Sequence, residues 1–302
     1  MYSRLMGLLL RTTMLVLAVA CTTPPPPPTL TVTERARGIQ PGELVILTIT
    51  SDQPLTALRV RAFDHDWPVT RETDAAGTTD TWRSLVGIDL DVPLGPHDVT
   101  ITATAAGGDT PLIHPLTVVE KQYRTRRLSV DPNFVNPPAA ALPRIREESE
   151  RQNAIWSSTP TTPPAPLEFR VPVPHKANSA FGTRSIFNGE PRGAHTGADF
   201  LSPAGTPIKA PAAGTVRLVG DLYYSGGAVI LDHGLGIYSL FAHMSRFDVT
   251  EGQSVAAGEV VGRVGATGRV TGAHLHWTVR LGPARVDPLS LVELLPPALS
   301  SR

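Results

Sequence analysis

Cysteine is all but missing: Cys21 is the single one in 302 residues. No internal disulfide can form, and a cysteine ligand set for a metal is excluded. Net charge is missing too, with 27 basic side chains against 27 acidic ones. Bulk electrostatics therefore give no reason to expect nucleic acid as a partner. No apolar run is long enough to span a bilayer; the longest candidate, Met14 to Ala20, falls far short of about 20 residues. No HExxH helix is present either. Proline, by contrast, is abundant at 30 residues, about twice an average share. Five prolines stand in a row at 24–28 and others punctuate 132–174, a distribution that marks linkers between two domains of ordinary size.

The apolar run Met14–Ala20 follows Arg4 and Arg11 and reads as the core of a secretory signal over residues 1–20. Leu17-Ala18-Val19-Ala20-Cys21 resembles the bacterial lipobox, although Ala18 stands where leucine is usual. By that resemblance Cys21 becomes a lipidated N-terminus, and residues 21–28 form a stiff polyproline tether. Thr22 rather than aspartate at the next position implies the periplasmic face of the outer membrane, so the expected location is the cell envelope, lipid-anchored. An ordinary cleavable signal with a fortuitous cysteine is the alternative.

From 29 to 120 apolar and polar residues alternate, as in Leu58, Val60 and Ala62 with Arg59 and Arg61 between them, or in Val99, Ile101 and Ala103. Short strands broken by Pro-Gly, Gly-Gly and Asp-rich turns predict an immunoglobulin-like β-sandwich. Its histidines carry no chemistry: Asp64-His65-Asp66 point to different sides of a turn, and His97 and His114 stand alone. Residues 121–167 read as a helical, proline-rich connector. It holds a basic trio, Arg124, Arg126 and Arg127, read as a solvated face, and one helix whose buried face would comprise Leu142, Ile145, Gln152 and Trp156. With so little apolar surface in the connector, a fragment beginning at Leu167 is expected to fold alone. Residues 168–292 form short strands separated by glycine, a second mostly β domain, and 293–302 a tail.

Four of the nine histidines fall within 195–276. His195 and Asp199 make a His-x-x-x-Asp pair in a loop entering a strand. In the segment from His274, residues Leu275, Trp277 and Val279 face one way, so His274, His276, Thr278 and Arg280 face the other. Two such positions lie about 6.6 Å apart along a strand, close enough for one imidazole to hold a metal while the other reaches a reacting oxygen. Imidazole and carboxylate at three positions with an open fourth are the ligands of a catalytic zinc, which acidifies water and polarises a carbonyl. Gly197, Gly268 and Gly272 leave room for a peptide or allow positive φ, and Gly226-Gly227 reads as a hairpin turn.

The ordered series from Phe181-Gly182-Thr183-Arg184 through His195-Thr196-Gly197-Ala198-Asp199, Asp232-His233-Gly234, Phe241-Ala242-His243-Met244 and Gly265-Ala266-Thr267-Gly268 to Gly272-Ala273-His274-Leu275-His276-Trp277 resembles the lysostaphin/LytM-type zinc metallopeptidases. The resemblance covers about 180–290. It implies one zinc ion on His195, Asp199 and His276, with His243 and His274 flanking the attacking water and the oxyanion in roles that are not assigned. His233 is then a structural turn residue and His175 a solvated loop residue. Some relatives block zinc with an asparagine in the loop that holds Asn188, but a plain Asn188-Gly189 turn is the simpler reading.

Together these readings predict a peptidoglycan endopeptidase for cell-wall remodelling, cutting D-alanyl–diaminopimelate cross-links, with peptidoglycan, the membrane and an envelope regulatory protein as partners. The competing class is a non-catalytic LytM-type module that activates a cell-wall amidase. The presence of all five His and Asp positions disfavours it, and a purely structural lipoprotein is disfavoured further.

Overall fold

The computed structural model describes residues 25–73, 80–163, 165–179 and 181–297. The signal segment and Cys21 lie outside the described residues. No helix among those described is long and apolar enough to cross a membrane.

Eight strands follow the tether: β1 (Leu30–Arg35), β2 (Leu44–Ser51), β3 (Ala57–Ala62), β4 (His65–Trp67), β5 (Val69–Thr73), β6 (Asp80–Gly87), β7 (Gly95–Ala105) and β8 (Gly108–Val118). They pair as two four-stranded antiparallel sheets, β1-β2-β6-β5 and β4-β3-β7-β8. That order is the immunoglobulin arrangement, with the first, second, sixth and fifth strands in one sheet and the fourth, third, seventh and eighth in the other. Period-two patterning sets the layers. Val60, Ala62, Val99, Ile101 and Ala103 are buried between the sheets while Arg59 and Arg61 are exposed. His65 is exposed at the start of β4, His97 bonds the nearby Pro93 carbonyl, and His114 bonds Glu34 across 80 residues of sequence.

The rest of the chain contributes β9 (Thr125–Leu128), α1 (Leu142–Trp156), β10 (Ala177–Ser179), β11 (Arg184–Phe187), β12 (Glu190–Ala194), β13 (Gly197–Phe200), β14 (Pro207–Lys209), β15 (Gly214–Leu222), β16 (Gly226–Asp232), β17 (Ile237–Phe247), β18 (Ser254–Val255), β19 (Val260–Val264), β20 (Leu275–Leu281), β21 (Ala284–Val286) and α2 (Pro288–Leu294). The main sheet runs β10-β13-β20-β17-β16-β15-β18, with β19 joining β14 to β17 and β21 pairing β20. Strand β20 therefore lies between β13 and β17. Trp277, Val279, Phe241 and Phe200 fill the core beneath it, each essentially without exposure. The Gly226-Gly227 pair belongs to the start of β16 rather than to its turn: Leu222 pairs Gly226, leaving residues 223–225 as the loop.

The connector is bound into this second body. Strand β9 pairs in parallel with β11 in a three-stranded sheet, β12-β11-β9. Helix α1 covers the outer side of the main sheet, where Ile155 joins Leu218, Leu222, Ala228, Ile230 and Tyr238 in a second apolar cluster. Gln152 and Ile145 are half-buried on the inner face as expected, but Leu142 is 52% exposed and the deepest position is Ile155. The polar residues of α1 are anchors as well: Glu148 accepts from the Tyr223 amide at 2.8 Å, and Arg144 donates to the Asp221 carbonyl at 2.9 Å. The expectation of an independent fragment from Leu167 did not count β9, whose backbone hydrogen bonds to β11 a tally of apolar side chains does not register.

The sandwich and the second body share one continuous core. Strand β2 shows why: Leu44, Val45, Ile46 and Leu47 are all buried, so both of its faces are covered. The outer face meets α2, and the Leu44 amide donates to Ser290 Oγ at 3.2 Å. Gly87 lies so close to β21 that a Cβ there would sit 2.7 Å from Ala284 Cβ. Charges reinforce the seam. Arg285 donates to Asp89 and Asp91, and Arg37 bridges buried Glu43, at 2.9 Å, and Asp287, at 2.6 Å.

Candidate metal centre

The register of three neighbouring strands assembles the site. Asp199 on β13 pairs with His276 on β20, and His276 pairs with Ala242 on β17. His195 precedes β13 by two residues and His243 follows Ala242, so side chains distant in sequence meet around one point. His195 Nε2, Asp199 Oδ1 and His276 Nδ1 lie 2.8–3.0 Å from one another. Among the described residues they form the one group of three or more His, Cys, Asp or Glu side chains that could hold a metal ion.

Two of the three ligands, His276 and Asp199, are prepared by a second contact. His276 Nε2 stands 2.8 Å from Thr278 Oγ1; donating its N–H there leaves the Nδ1 lone pair for a ligand. Asp199 Oδ2 accepts from Arg126 at 3.2 Å, which turns Oδ1 toward the histidines. Burial opposes the charge of Asp199, but the adjoining His195 and His276 imidazoles overcome it, and its carboxyl is held well below the usual carboxylate range. Burial first, and then the neighbouring His195 and His274, drive His276 below the ordinary histidine value against the pull of Asp199. Gly197 is required: a Cβ there would sit 2.4 Å from the Trp277 carbonyl and 2.8 Å from the His276 ring. Two imidazoles and one carboxylate that converge on a single point and face a groove on the fourth side fit a metal held by three protein ligands.

His243 and His274 stand on the groove side with ring centroids 4.8 Å apart, and the His243 centroid is 5.9 Å from that of His276. His243 has φ +65°, a conformation that aims its side chain away from the regular strand direction. Its Nδ1 lies 2.9 Å from the Thr267 carbonyl, and His274 Nδ1 lies 2.9 Å from the Gly272 carbonyl. A carbonyl accepts only, so both rings carry their proton on Nδ1 and present a bare Nε2. Burial, with His276 and His274 adding, pushes His243 down to about 3.

The other expected features fall into place around this centre. His233 is fully buried, with Nδ1 at 2.9 Å from the Ala213 carbonyl and Nε2 at 2.8 Å from Ser239 Oγ, a structural role. His175 is half-buried and bonds Ser202 rather than lying free in solvent. Asn188 and Gly189 have φ of 51° and 88°, as a tight β11–β12 hairpin requires, and the Asn188 side chain bonds the backbone of Val130 instead of reaching the metal ligands. Gly268 does allow close approach, since its Cβ would lie 2.3 Å from the Gly226 nitrogen, whereas Gly272 faces open space.

Arg126 corrects the reading of the basic trio as a solvated face. It points inward from β9 to Asp199 and Ser185, while Arg124 and Arg127 are exposed. Adjacent Arg126 and Arg127 must face opposite sides of a strand, but nothing local shows which of them turns inward, and the partner of Arg126 lies 73 residues away. Arg269, which also lines the groove of about 620 Å³ above the site, was not singled out from the sequence.

A mostly β fold with a His-Asp-His centre and two further imidazoles over a groove defines a metallohydrolase type of site. The model of peptidase family M23 matches residues 193–288. A crystal structure from Pseudomonas aeruginosa assigned to peptidase M23 is 34% identical and superposes with a TM-score of 0.63 over 85% of this chain and 95% of its own. The chain belongs to peptidase family M23. Among curated proteins it is similar to the DD-carboxypeptidase/endopeptidase Mpg of Neisseria meningitidis serogroup B, 44% identical over 97 residues, or 32% of this chain and 22% of that one. It is similar also to the peptidoglycan DD-endopeptidase ShyA of Vibrio cholerae, 40% identical over 83 residues, or 28% of this chain and 19% of that one. The match thus spans only about a fifth of the length of these relatives.

Proposed function

We propose that this M23 peptidase is a zinc-dependent endopeptidase of bacterial peptidoglycan that cuts D-alanyl–diaminopimelate cross-links. The convergence of His195 Nε2, Asp199 Oδ1 and His276 Nδ1 within 3.0 Å carries the zinc assignment. The names of the relatives, a DD-carboxypeptidase/endopeptidase and a DD-endopeptidase, support the substrate. Bound there, zinc would supply a Lewis acid that acidifies water and polarises the scissile carbonyl.

The chain's own groups do the rest. Asp199, His195 and His276 hold the ion and leave its groove side free. His243 and His274, each fixed by a backbone carbonyl at Nδ1, are placed to take a proton at Nε2 or, once protonated there, to hydrogen-bond the developing oxyanion. Phe187, Tyr224 and Trp156 line the groove and give a peptide apolar walls. The presence of both additional imidazoles beside the complete donor set favours catalysis over a non-catalytic amidase activator. On the sequence pattern around Cys21 we further propose lipid anchoring in the envelope, which would hold the peptidase next to its polymer.

The test is digestion of purified sacculi by the protein with and without a zinc chelator, followed by mass analysis of the released fragments. Chelator-sensitive conversion of cross-linked dimers to monomers is expected. Release of whole stem peptides from the glycan would instead indicate an amidase.

A further inference from the structure

The groove over the metal centre is lined by five arginines and a single carboxylate, Asp199. Three of the five are neutralised locally: Arg126 by Asp199, Arg192 by Glu190 at 2.6 Å, and Arg285 by Asp89 and Asp91. Arg269 and Arg280 have no hydrogen bond or ion pair to an acidic side chain among the described residues. Arg280 lies four residues beyond His276 on β20, roughly 13 Å along the strand, against Trp156. Arg269 is at the histidine end. It follows by two residues Thr267, whose carbonyl fixes His243, and its amide donates to the Tyr224 carbonyl at 2.9 Å.

The Arg269 guanidinium is held in place by aromatic faces. Its Cζ lies 5.1 Å from the Phe187 ring centroid and 4.8 Å from that of Tyr224. Such stacking orients the planar fork and lowers the entropy lost when it binds an anion, while supplying no counter-charge of its own. Burial disfavours its charge most; Tyr224 opposes this, and nearby Arg192 and Arg126 each add a smaller effect in the same direction as burial. A half-buried, pre-oriented cation beside two other cations is costly to leave without an anion. Its natural partner is a carboxylate, which it can grip with two parallel hydrogen bonds.

We propose that Arg269 is a specificity-determining residue that binds a free carboxylate of the substrate next to the scissile bond. The assignment rests on the D-alanyl–diaminopimelate reading, and that bond presents such a group: the diaminopimelate carbon bearing the scissile nitrogen also carries a free carboxyl. With the scissile amide under His243 and His274, the adjacent carboxylate falls to the groove wall that Arg269 occupies.

The experiment uses two synthetic D-alanyl–diaminopimelate peptides that differ only in whether that carboxyl is free or a carboxamide. Their affinities for full-length, chelator-treated protein are measured without turnover. The carboxylate peptide is expected to bind about 10- to 100-fold more tightly, the range of a charge-assisted pair. Arg269→Gln should bring the ratio to about one, whereas Arg146→Gln, on the exposed face of α1, should leave it unchanged. Equal binding of the two peptides by the unaltered protein, which needs no variant, overturns the assignment, as does a ratio that survives Arg269→Gln. Cleavage with zinc restored separates this from the wider reading. Selective binding with neither peptide cut keeps the carboxylate site and refutes the peptidase assignment; cutting of both peptides with equal affinity keeps the peptidase and refutes the site.

Discussion

Asp199 and His276 are neighbours only because β13 and β20 pair in one register, so the ligand set depends on strand geometry as much as on residue type. A one-residue slip would turn one of them to the opposite face. The strand face of His276 was legible in the sequence, because Leu275, Trp277 and Val279 alternate with it without interruption and all three are buried. Arg126, Arg269 and the carbonyl that fixes His243 were not, since each acts through a partner remote in sequence. The division between ligands and proton-handling groups is testable. His276→Ala removes a donor and should lose both zinc and activity. His243→Ala should keep near-stoichiometric zinc while activity falls roughly 10²–10⁴-fold, as for loss of a general acid or base. Metal analysis of the two purified proteins decides the matter, and a metal-free His243→Ala beside a zinc-loaded His276→Ala would invert the assignment.

His233 offers a residue-scale prediction about stability. Its Nδ1–H donates to the Ala213 carbonyl and its Nε2 accepts from Ser239, whose oxygen in turn accepts from Trp277 at 3.1 Å. Protonating Nε2 would place a second donor against that hydroxyl inside the core. Burial therefore pushes His233 down to about 4 from the usual 6.5. In the unfolded chain the same ring takes up its proton near 6.5, so below that pH the unfolded state binds more protons. The contribution is fully present above pH 6.5 and is lost as pH falls toward 4, to a limit of about 3 kcal/mol at about 1.4 kcal/mol per unit. Urea unfolding at pH 7 and pH 4.5 should show this loss, and His233→Gln should reduce it. An equal pH dependence in the variant would assign the acid sensitivity elsewhere.

At the scale of elements, the sandwich strands were readable from alternation alone, as β3 and β7 show. The connector's attachment to the second body was not readable in the same way, because it comes from elements with weak apolar patterns. Strand β9 is held by backbone pairing to β11, and α1 is held by Ile155 together with Arg144, Glu148 and Arg151. Removing them would uncover Leu218, Leu222 and Tyr238 and leave β11 unpaired on one side. A fragment starting at residue 167 should therefore aggregate or melt well below one starting at residue 120, with the difference read by thermal unfolding and light scattering. Equal melting of the two fragments would show that the connector adds nothing to the second body's stability.

Across the whole molecule, the seam between the sandwich and the peptidase domain is built from close packing at Gly87 and from partly buried ion pairs of Arg37 with Asp287 and of Arg285 with Asp89. Neither side of that seam is recognisable from local sequence; Leu44 to Leu47 show it only as a strand apolar on both faces. Lipid anchoring is a separate matter of the chain's beginning. If Cys21 carries the lipid, Cys21→Ser should move the protein from the membrane fraction to the soluble one with its unfolding transition intact. Retention of the variant on membranes washed with high salt would exclude that anchor.

The parallel pairing of β9 with β11 also bears on the order of events during synthesis. Arg126 meets Ser185, 59 residues later in the chain, and Leu44 meets Ser290 across 246 residues. The sandwich can close as soon as its own strands have left the ribosome, but the wall of the groove cannot form until β11 arrives, and α2 seals the seam only after β21. A nascent chain that stops short of β20 consequently lacks the assembled centre, so hydrolytic power cannot appear before His276 has been added.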